Sequence, residues 1–185
     1  MKQKPPKQPE RAPEWTGRSL ELRIYPDSVL REICRPVGQF DSSLRDFADE
    51  MHTLMLRHQG VGLAAPQVGI QRRVIVADVG DGPVFVVNPE ILEHTGSSIL
   101  TEGCLSLPGT RIDIQRALGI EIMGWSPMGE ALRFRSHGMF ARVLQHEIDH
   151  LNGVLIIDHA QPLTPLAKRE PTDSNERNPY YEIRL

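Results

Sequence analysis

One short stretch organises this chain, His146-Glu147-Ile148-Asp149-His150. On an α-helix, residues four apart lie one above the other, so the two imidazoles can bind the same metal ion. Glu147 follows the first histidine and can act as a general base toward a water molecule at that metal. Chance gives a His-Glu-x-x-His match in a chain of this His and Glu content with a probability of roughly 2%. The stretch therefore predicts a helix that carries a metal site.

The segments around this stretch predict an α+β domain. The motif helix continues as an apolar stripe through Met139, Val143, Leu144, Ile148 and Leu151, and Asn152-Gly153 is a typical helix end. A second helix is predicted over 41–59, with Asp41 or Ser42 as its cap. Short β-like runs cover 73–77, 84–87, 120–123 and 131–135, and a hairpin turn joins the last two. The order of helix, strands and helix favours α+β over alternating βαβ units.

A catalytic metal site needs a third ligand and an open position. In peptidases that extend the motif, the third histidine would fall at Ile156, which cannot bind a metal. Glu170 is a second candidate, but it lies in a polar, proline-flanked tail, which is a poor place for a rigid ligand. Cys104 remains, in Glu102-Gly-Cys-Leu-Ser-Leu-Pro-Gly109, where Gly103 allows tight backbone geometry. A lone cysteine is more often structural, yet beside a helix that lacks one ligand Cys104 is favoured.

A third segment, Gly60-Val-Gly-Leu-Ala-Ala-Pro-Gln67-Val-Gly69, is rich in small residues. It matches neither a phosphate loop nor a dinucleotide-binding pattern. Small residues let the backbone approach a ligand closely, and Gln67 offers an uncharged donor and acceptor. The residues alone leave two interpretations open, a tight structural loop or an amide that contacts substrate.

Together, residues 60–69, 102–109 and 145–150 resemble, in order and spacing, the three signature motifs of peptide deformylases. The resemblance extends from about residue 24 to residue 158, and the 32 residues between Gly69 and Glu102 are similar to the compact bacterial form without a long insertion. It implies antiparallel β-sheets packed around a central helix that carries the His-Glu-x-x-His motif. It also implies metal-dependent hydrolysis of the N-formyl group from the N-terminal formyl-methionine of newly synthesised polypeptides, with release of formate.

The resemblance also implies a cofactor. The metal ligands would be Cys104, His146 and His150, with water in the fourth position. Fe(II) is the expected metal, and Zn(II) or Ni(II) can occupy such a site, because Cys and His donors suit all three. A thiolate donates more charge than a third imidazole would, which makes the metal a weaker Lewis acid suited to a small, unhindered formyl carbon.

Roles for the other residues follow from the same resemblance. Glu147 would take a proton from water and pass it to the departing amine, while the Gln67 side chain and the Leu105 backbone N–H would meet the developing oxyanion. The expected substrate-binding residues are Val61, Met139 and Val143 around the methionine side chain, Gly62 at the substrate backbone, and Glu102, which positions the ligand loop. Asp149 is expected to be structural, and Arg142 is expected at the rim of the cleft.

Composition bounds the domains and the partners. The chain of 185 residues predicts a proline-rich, disordered arm over 1–19, a catalytic domain over 20–166 and a polar tail over 167–185. A net charge of −3 argues against a general nucleic-acid or anionic-membrane binder. No stretch predicts a spanning helix or a signal peptide, so a cytoplasmic monomer acting on formyl-Met nascent peptides is expected. Relatives dock to the ribosome through a basic C-terminal helix, from which this tail departs.

Two rival functions are weighed against the deformylase prediction. A zinc endopeptidase of the His-Glu-x-x-His type would lack its usual third ligand, because that position is Ile156. A catalytically silent deformylase-like binding module would be expected to have lost Glu147, Gln67 or a metal ligand, and the sequence keeps all of them.

Overall fold

The computed structural model describes residues 14–17 and 19–160. Within them lie two α-helices, α1 (Ser42–Arg57) and α2 (Gly138–Leu151). The strands are β1 (Gly62–Ala64), β2 (Val74–Ala77), β3 (Val84–Thr95), β4 (Ser98–Cys104), β5 (Leu107–Arg116), β6 (Gly119–Trp125) and β7 (Ala131–His137). Short 3-10 helices cover Ser28–Arg31, Ala65–Val68 and Ile156–His159.

The strands form two antiparallel sheets. A five-stranded sheet has the order β1-β2-β3-β6-β7, and β4 pairs with β5 as a separate hairpin. Helix α2 contacts β1, β2, β6 and β7, so it packs against the five-stranded sheet. The predicted α+β fold, with antiparallel sheets packed around the motif helix, is confirmed.

Helix α1 has one apolar face, as its sequence period predicts. Asp41 caps it, because its carboxylate accepts hydrogen bonds from the backbone N–H groups of Ser43 (2.9 Å) and Leu44 (3.2 Å). The side chains of the buried face are Leu44, Phe47, Ala48, Met51, Leu54 and Met55. They join a core cluster with residues of β1, β2 and β3, which places α1 on that end of the sheet.

Four residues of the predicted arm belong to the folded body. Residues 14–17 form a turn, and the Trp15 ring stacks on Phe47 with a centroid distance of 5.7 Å. The Trp15 indole N–H donates to Ser43 Oγ at 3.2 Å, and Glu14 forms an ion pair with Arg72. The predicted boundary at residue 20 is therefore too late for these residues, because burial of one aromatic side chain outweighs the surrounding prolines. Residues 1–13 and 18 of the arm, the last six residues of the predicted catalytic domain and the predicted tail 167–185 lie outside the described residues.

Helix α2 is buried on nearly every side. Of its ten buried residues, five are polar, namely Arg142, Gln145, His146, Glu147 and His150. Buried polar groups are costly unless they find partners, so a helix of this kind concentrates unusual chemistry. Neither helix in the described part of the chain is long and apolar enough to cross a bilayer.

Candidate metal centre

Cys104 stands at the end of β4, where the pairing with β5 is irregular between Glu102 and Cys104. Such an irregularity re-aims the side chains next to it. Burial, together with the charge of Glu147, raises the pKa of the Cys104 thiol to about 12, although hydrogen bonds from the backbone N–H groups of Ser106 and Leu107 oppose the rise. A thiol in this environment needs a nearby cation to become a thiolate.

The two histidines of α2 meet Cys104 inside the protein. The donor atoms of Cys104, His146 and His150 lie within 4.8 Å of one another, and all three residues are buried. Cys104 Sγ is 3.2 Å from His150 Nε2. Burial, followed by the charge of His146, lowers the pKa of His150 well below its ordinary value, which favours the neutral imidazole that can bind a metal.

Unpartnered atoms at this cluster indicate that the residues fit a metal ion. Among the described residues, His146 Nε2 is buried without a hydrogen-bond partner, and His150 presents Nε2, rather than its unpartnered Nδ1, to Cys104 Sγ. Buried polar atoms are rarely left unpaired, and a bound metal would satisfy a ring nitrogen. One sulfur and two imidazoles are the donor set that transition metals such as iron, zinc and nickel accept.

Glu102 fixes the orientation of His146. Its Oε2 accepts a hydrogen bond from His146 Nδ1 at 2.9 Å. Burial alone would raise the pKa of Glu102, but hydrogen bonds from His146 and Arg116 and the charge of Arg116 outweigh it and lower the pKa to about 2. The carboxylate is therefore ionised and can only accept, so the proton sits on Nδ1 and the Nε2 lone pair is free for a metal.

Two arginines surround Glu102. Arg116 donates from Nε to Oε1 at 2.6 Å and from Nη2 to Oε2 at 3.0 Å, while Arg142 donates to Oε1 at 2.6 Å. Arg116 also pairs with Asp149 at 2.9 Å, and Asp149 contacts His159 at 2.8 Å. Glu102, predicted among the substrate-binding residues, is fully buried, and both of its carboxylate oxygens accept hydrogen bonds from protein groups.

Glu147 lies in a space that only a glycine at position 62 leaves open. A Cβ added to Gly62 would overlap Glu147 Oε1 and would lie 2.7 Å from Val143 Cγ1. Both Glu147 oxygens are buried and have no hydrogen-bond partner within the described residues. Burial raises the pKa of Glu147 well above its ordinary value, although the charge of Arg116 opposes this. Such a carboxyl group is poised to exchange a proton.

Gln67 is held beside Cys104. Its Oε1 accepts a hydrogen bond from the Ala64 backbone N–H at 2.8 Å, which fixes the side chain. Its Nε2 donates to Ser106 Oγ at 3.2 Å and lies 3.7 Å from Cys104 Sγ. The small-residue loop is therefore tight, and it directs the Gln67 amide N–H toward Ser106 and the Cys104 sulfur.

The three residues predicted to surround the methionine side chain belong to one apolar cluster. Val143 is buried, and Val61 and Met139 are partly buried against the same cluster. A separate cavity of about 730 Å³ borders Cys104 and Leu105, and residues of the 20–24 segment and of the β4–β5 turn line it. Val61, Met139 and Val143 do not line that cavity.

The sequence did not reveal two members of the site. Arg116 was not singled out, and Arg142 was expected at the cleft rim, whereas it is 2% exposed. Arginine is almost never fully buried unless it is paired, so the surface is the usual expectation. The available signal was spacing, since Arg142 precedes His146 by four residues and therefore shares its helix face.

The comparisons with known proteins agree with this geometry. A family model described as polypeptide deformylase matches residues 19–165. The curated peptide deformylase of Thermotoga maritima is 46% identical over 150 residues, which cover 80% of this chain and 92% of that protein.

Solved structures show the same similarity. The crystal structure of peptide deformylase from Thermotoga maritima has a TM-score of 0.76 and 46% identity, covering 78% of this chain and 99% of that one. The crystal structure of a peptide deformylase from Synechococcus elongatus in complex with actinonin has a TM-score of 0.75 and 38% identity, covering 78% of this chain and 80% of that one.

Proposed function

Because the chain belongs to the peptide deformylase family, we propose that Cys104, His146 and His150 hold a ferrous ion at its reaction centre. The protein is a metallohydrolase that removes the N-formyl group from newly synthesised polypeptides. The rival functions, a zinc endopeptidase and a silent binding module, are not favoured. The observation that carries the proposed ligand set is the convergence of a thiol and two buried imidazoles with unpartnered ring nitrogens.

The sulfur and imidazole donors favour a transition-metal ion. When bound, a divalent cation at these ligands supplies Lewis acidity that makes water a nucleophile near neutral pH. Sulfur and imidazole donors admit iron, zinc and nickel alike, and the choice of iron rests on the resemblance of the three motifs to those of deformylases.

Glu147 is the proposed proton carrier. Its unpartnered, buried oxygens can accept a proton from the attacking water while the water oxygen bonds to the formyl carbon. As the bond between the formyl carbon and the methionine nitrogen breaks, Glu147 delivers that proton to the departing amine. Formic acid and a free N-terminal amine result, the acid ionises to formate as it gives its proton to water, and the Glu147 carboxylate returns to its starting state.

Gln67 and Leu105 are proposed to stabilise the developing oxyanion. The Gln67 amide is fixed by Ala64 and already donates toward Ser106 and Cys104, so it needs little rearrangement. The Leu105 backbone N–H follows Cys104 directly. Donors that are oriented before the reaction stabilise the transition state more than flexible ones do.

The methionine side chain is proposed to enter the apolar cluster around Val61, Met139 and Val143. An unbranched thioether suits an apolar environment. Gly62 is proposed to contact the substrate backbone. Its missing side chain already accommodates Glu147, so a substrate strand could approach the proposed base closely.

Partners and location follow from the substrate. Newly made polypeptides are the proposed partners, and the protein is proposed to act as a cytoplasmic monomer. The net charge of −3 offers no basic excess for binding nucleic acid on its own. A contact with the ribosome is proposed only as a transient one that does not depend on residues 167–185.

Formate release tests this function. The protein is purified without oxygen, loaded with Fe(II) and given a formyl-Met peptide, because a thiolate-bound ferrous site is prone to oxidation. The expected result is formate release that a chelator abolishes, with no cleavage of the unformylated peptide. Absence of formate from folded, metal-loaded protein contradicts the proposal, and cleavage within the unformylated peptide would favour the endopeptidase instead.

A further inference from the structure

Arg142 links the helix and the hairpin that carry the proposed metal ligands. Its guanidinium donates to Ile114 O at 3.0 Å, to Ser98 O at 2.8 Å and to Ser98 Oγ at 3.0 Å, in addition to Glu102 Oε1 at 2.6 Å. Ser98 begins β4, and Ile114 lies on β5. One side chain of α2 therefore holds both strands of the hairpin.

The β4–β5 hairpin and α2 are joined by side-chain contacts of this kind. Cys104 comes from the hairpin, whereas His146 and His150 come from α2. The distance from Sγ to the ring nitrogens therefore depends on how the hairpin sits against the helix. Glu102 is part of the same junction, because it lies on β4 and accepts the His146 Nδ1 proton.

The two arginines at Glu102 make different contacts. Arg116 engages both oxygens of Glu102 and is itself paired with Asp149. Arg142 engages one oxygen and spends its remaining donors on the hairpin backbone and on Ser98 Oγ. Arg116 thus neutralises the charge of Glu102, whereas the specific contribution of Arg142 is to hold Glu102 and the hairpin backbone in place.

We propose that Arg142 is a positioning residue, which fixes Glu102 and the β4–β5 hairpin against α2 so that Cys104 and His146 are preorganised for the metal. The inference rests on the proposed ligand set. Arg142 touches no ligand atom and acts through Glu102 and through Ser98 and Ile114 of the hairpin. Loss of a partner that orients a ligand typically weakens metal affinity by about 10–100-fold.

Zinc affinity tests this role without using turnover. Arg142→Met keeps much of the side-chain volume but removes all four hydrogen bonds, and we expect zinc to bind about 10–100-fold more weakly in competition with a chromophoric chelator. Met51→Ala in α1 is the matched control, since it also destabilises the core but lies outside the hairpin junction. An equal loss of affinity in the control overturns the proposal, because general destabilisation would then explain it.

A double-mutant cycle tests whether Arg142 acts through Glu102. In a Glu102→Gln background, Arg142→Met should weaken zinc binding by a smaller factor than it does in the wild type, since its route through Glu102 to His146 is already lost and only its contacts with the hairpin remain. Full additivity of the two changes would overturn the proposal.

Arg142→Lys covers the case in which Arg142→Met does not fold. Lysine keeps the charge and can reach Glu102, but it cannot also bridge Ser98 and Ile114, because it lacks the planar fork of donors. We expect weakened zinc binding in this folded variant, and affinity equal to wild type contradicts the proposal. A wild-type protein that binds no zinc would instead refute the proposed ligand set, so the two failures are distinguishable.

Discussion

The two helices have similar lengths but bury different kinds of side chain. Every buried residue of α1 is apolar, whereas half of the buried residues of α2 are polar. Helix α1 covers the sheet with one face and turns its charged residues outward. Helix α2 is enclosed and carries an arginine, a glutamine, a glutamate and two histidines into the core.

This difference indicates that α1 contributes mainly to stability and that α2 contributes mainly to the chemistry of the site. Burial of the apolar face of α1 contributes directly to folding, at about 1.5–3 kcal/mol for each large side chain. The polar groups of α2 cost desolvation energy that their mutual contacts only partly offset. The buried polar residues of α2 are therefore explained by a binding role. Changes in α2 should affect metal binding or turnover, whereas changes in α1 should affect stability alone.

Removal of the Glu147 carboxylate should have the largest effect. Glu147→Ala should lower the rate of formate release by about 10³–10⁴-fold, because general acid–base catalysis is lost while the metal ligands remain. Metal content measured after dialysis should match wild type. Asp46→Ala, which removes a carboxylate from the exposed face of α1, should leave turnover unchanged. Comparable turnover in the Glu147 variant would remove this residue from the mechanism.

Removal of Arg116 should lower the free energy of unfolding. Arg116→Leu leaves Glu102 buried with one arginine instead of two and Asp149 without its partner, so we expect a loss of about 4 kcal/mol in the free energy of unfolding. Urea denaturation measures this loss. Arg133→Leu is a matched control on β7, since its ion pair with Glu121 is exposed on the arginine side and should contribute far less to stability. Equal losses would mean that burial does not distinguish the two pairs.

A cavity in α1 should affect stability without affecting the site. Met51 is fully buried, and Met51→Ala should lower the free energy of unfolding by about 3 kcal/mol. Formate release per folded molecule should remain at the wild-type value. A fall in turnover measured well below the unfolding temperature would show that α1 and the metal centre are coupled, and the contrast between the helices would be lost.

The helix cap should give the smallest effect. Asp41→Ala should cost about 1 kcal/mol, because two backbone N–H groups lose their acceptor. Hydrogen bonds, first that from Ser43, hold the pKa of Asp41 below its ordinary value of 3.8, so its ionised form stabilises the fold above that value. The stability difference between wild type and Asp41→Asn should therefore shrink as the pH falls below about 4. A difference that is independent of pH would argue against a charged cap.

Local patterns in the sequence predict much of the framework. The period of α1, the stripe of α2 and the turn between β6 and β7 all depend on neighbours within a few residues, and each is found close to its predicted bounds. The hairpin of β4 and β5 was not predicted. Its exposed faces mix apolar and polar residues, and its irregular pairing interrupts the alternation at Cys104.

The proposed metal ligands could be predicted from the sequence, but the residues that orient them could not. The four-residue spacing of His146 and His150 predicts two ligands on one helix face. Cys104 is the candidate favoured for the third ligand that such a site needs. The environment of Glu102 depends on Arg116 and Arg142, which are 14 and 40 residues away from it in the chain. Neither composition nor periodicity encodes such pairings, so a buried arginine looks like a surface one until the fold brings its partners together.

X-ray absorption at the iron edge of the anaerobically loaded wild-type protein tests the central claim most directly. The account predicts one sulfur and two nitrogen ligands from the protein, and it predicts that Cys104→Ser loses the sulfur contribution. An iron site without sulfur in the wild type would contradict the account, since the hairpin would then contribute no ligand to the metal on α2.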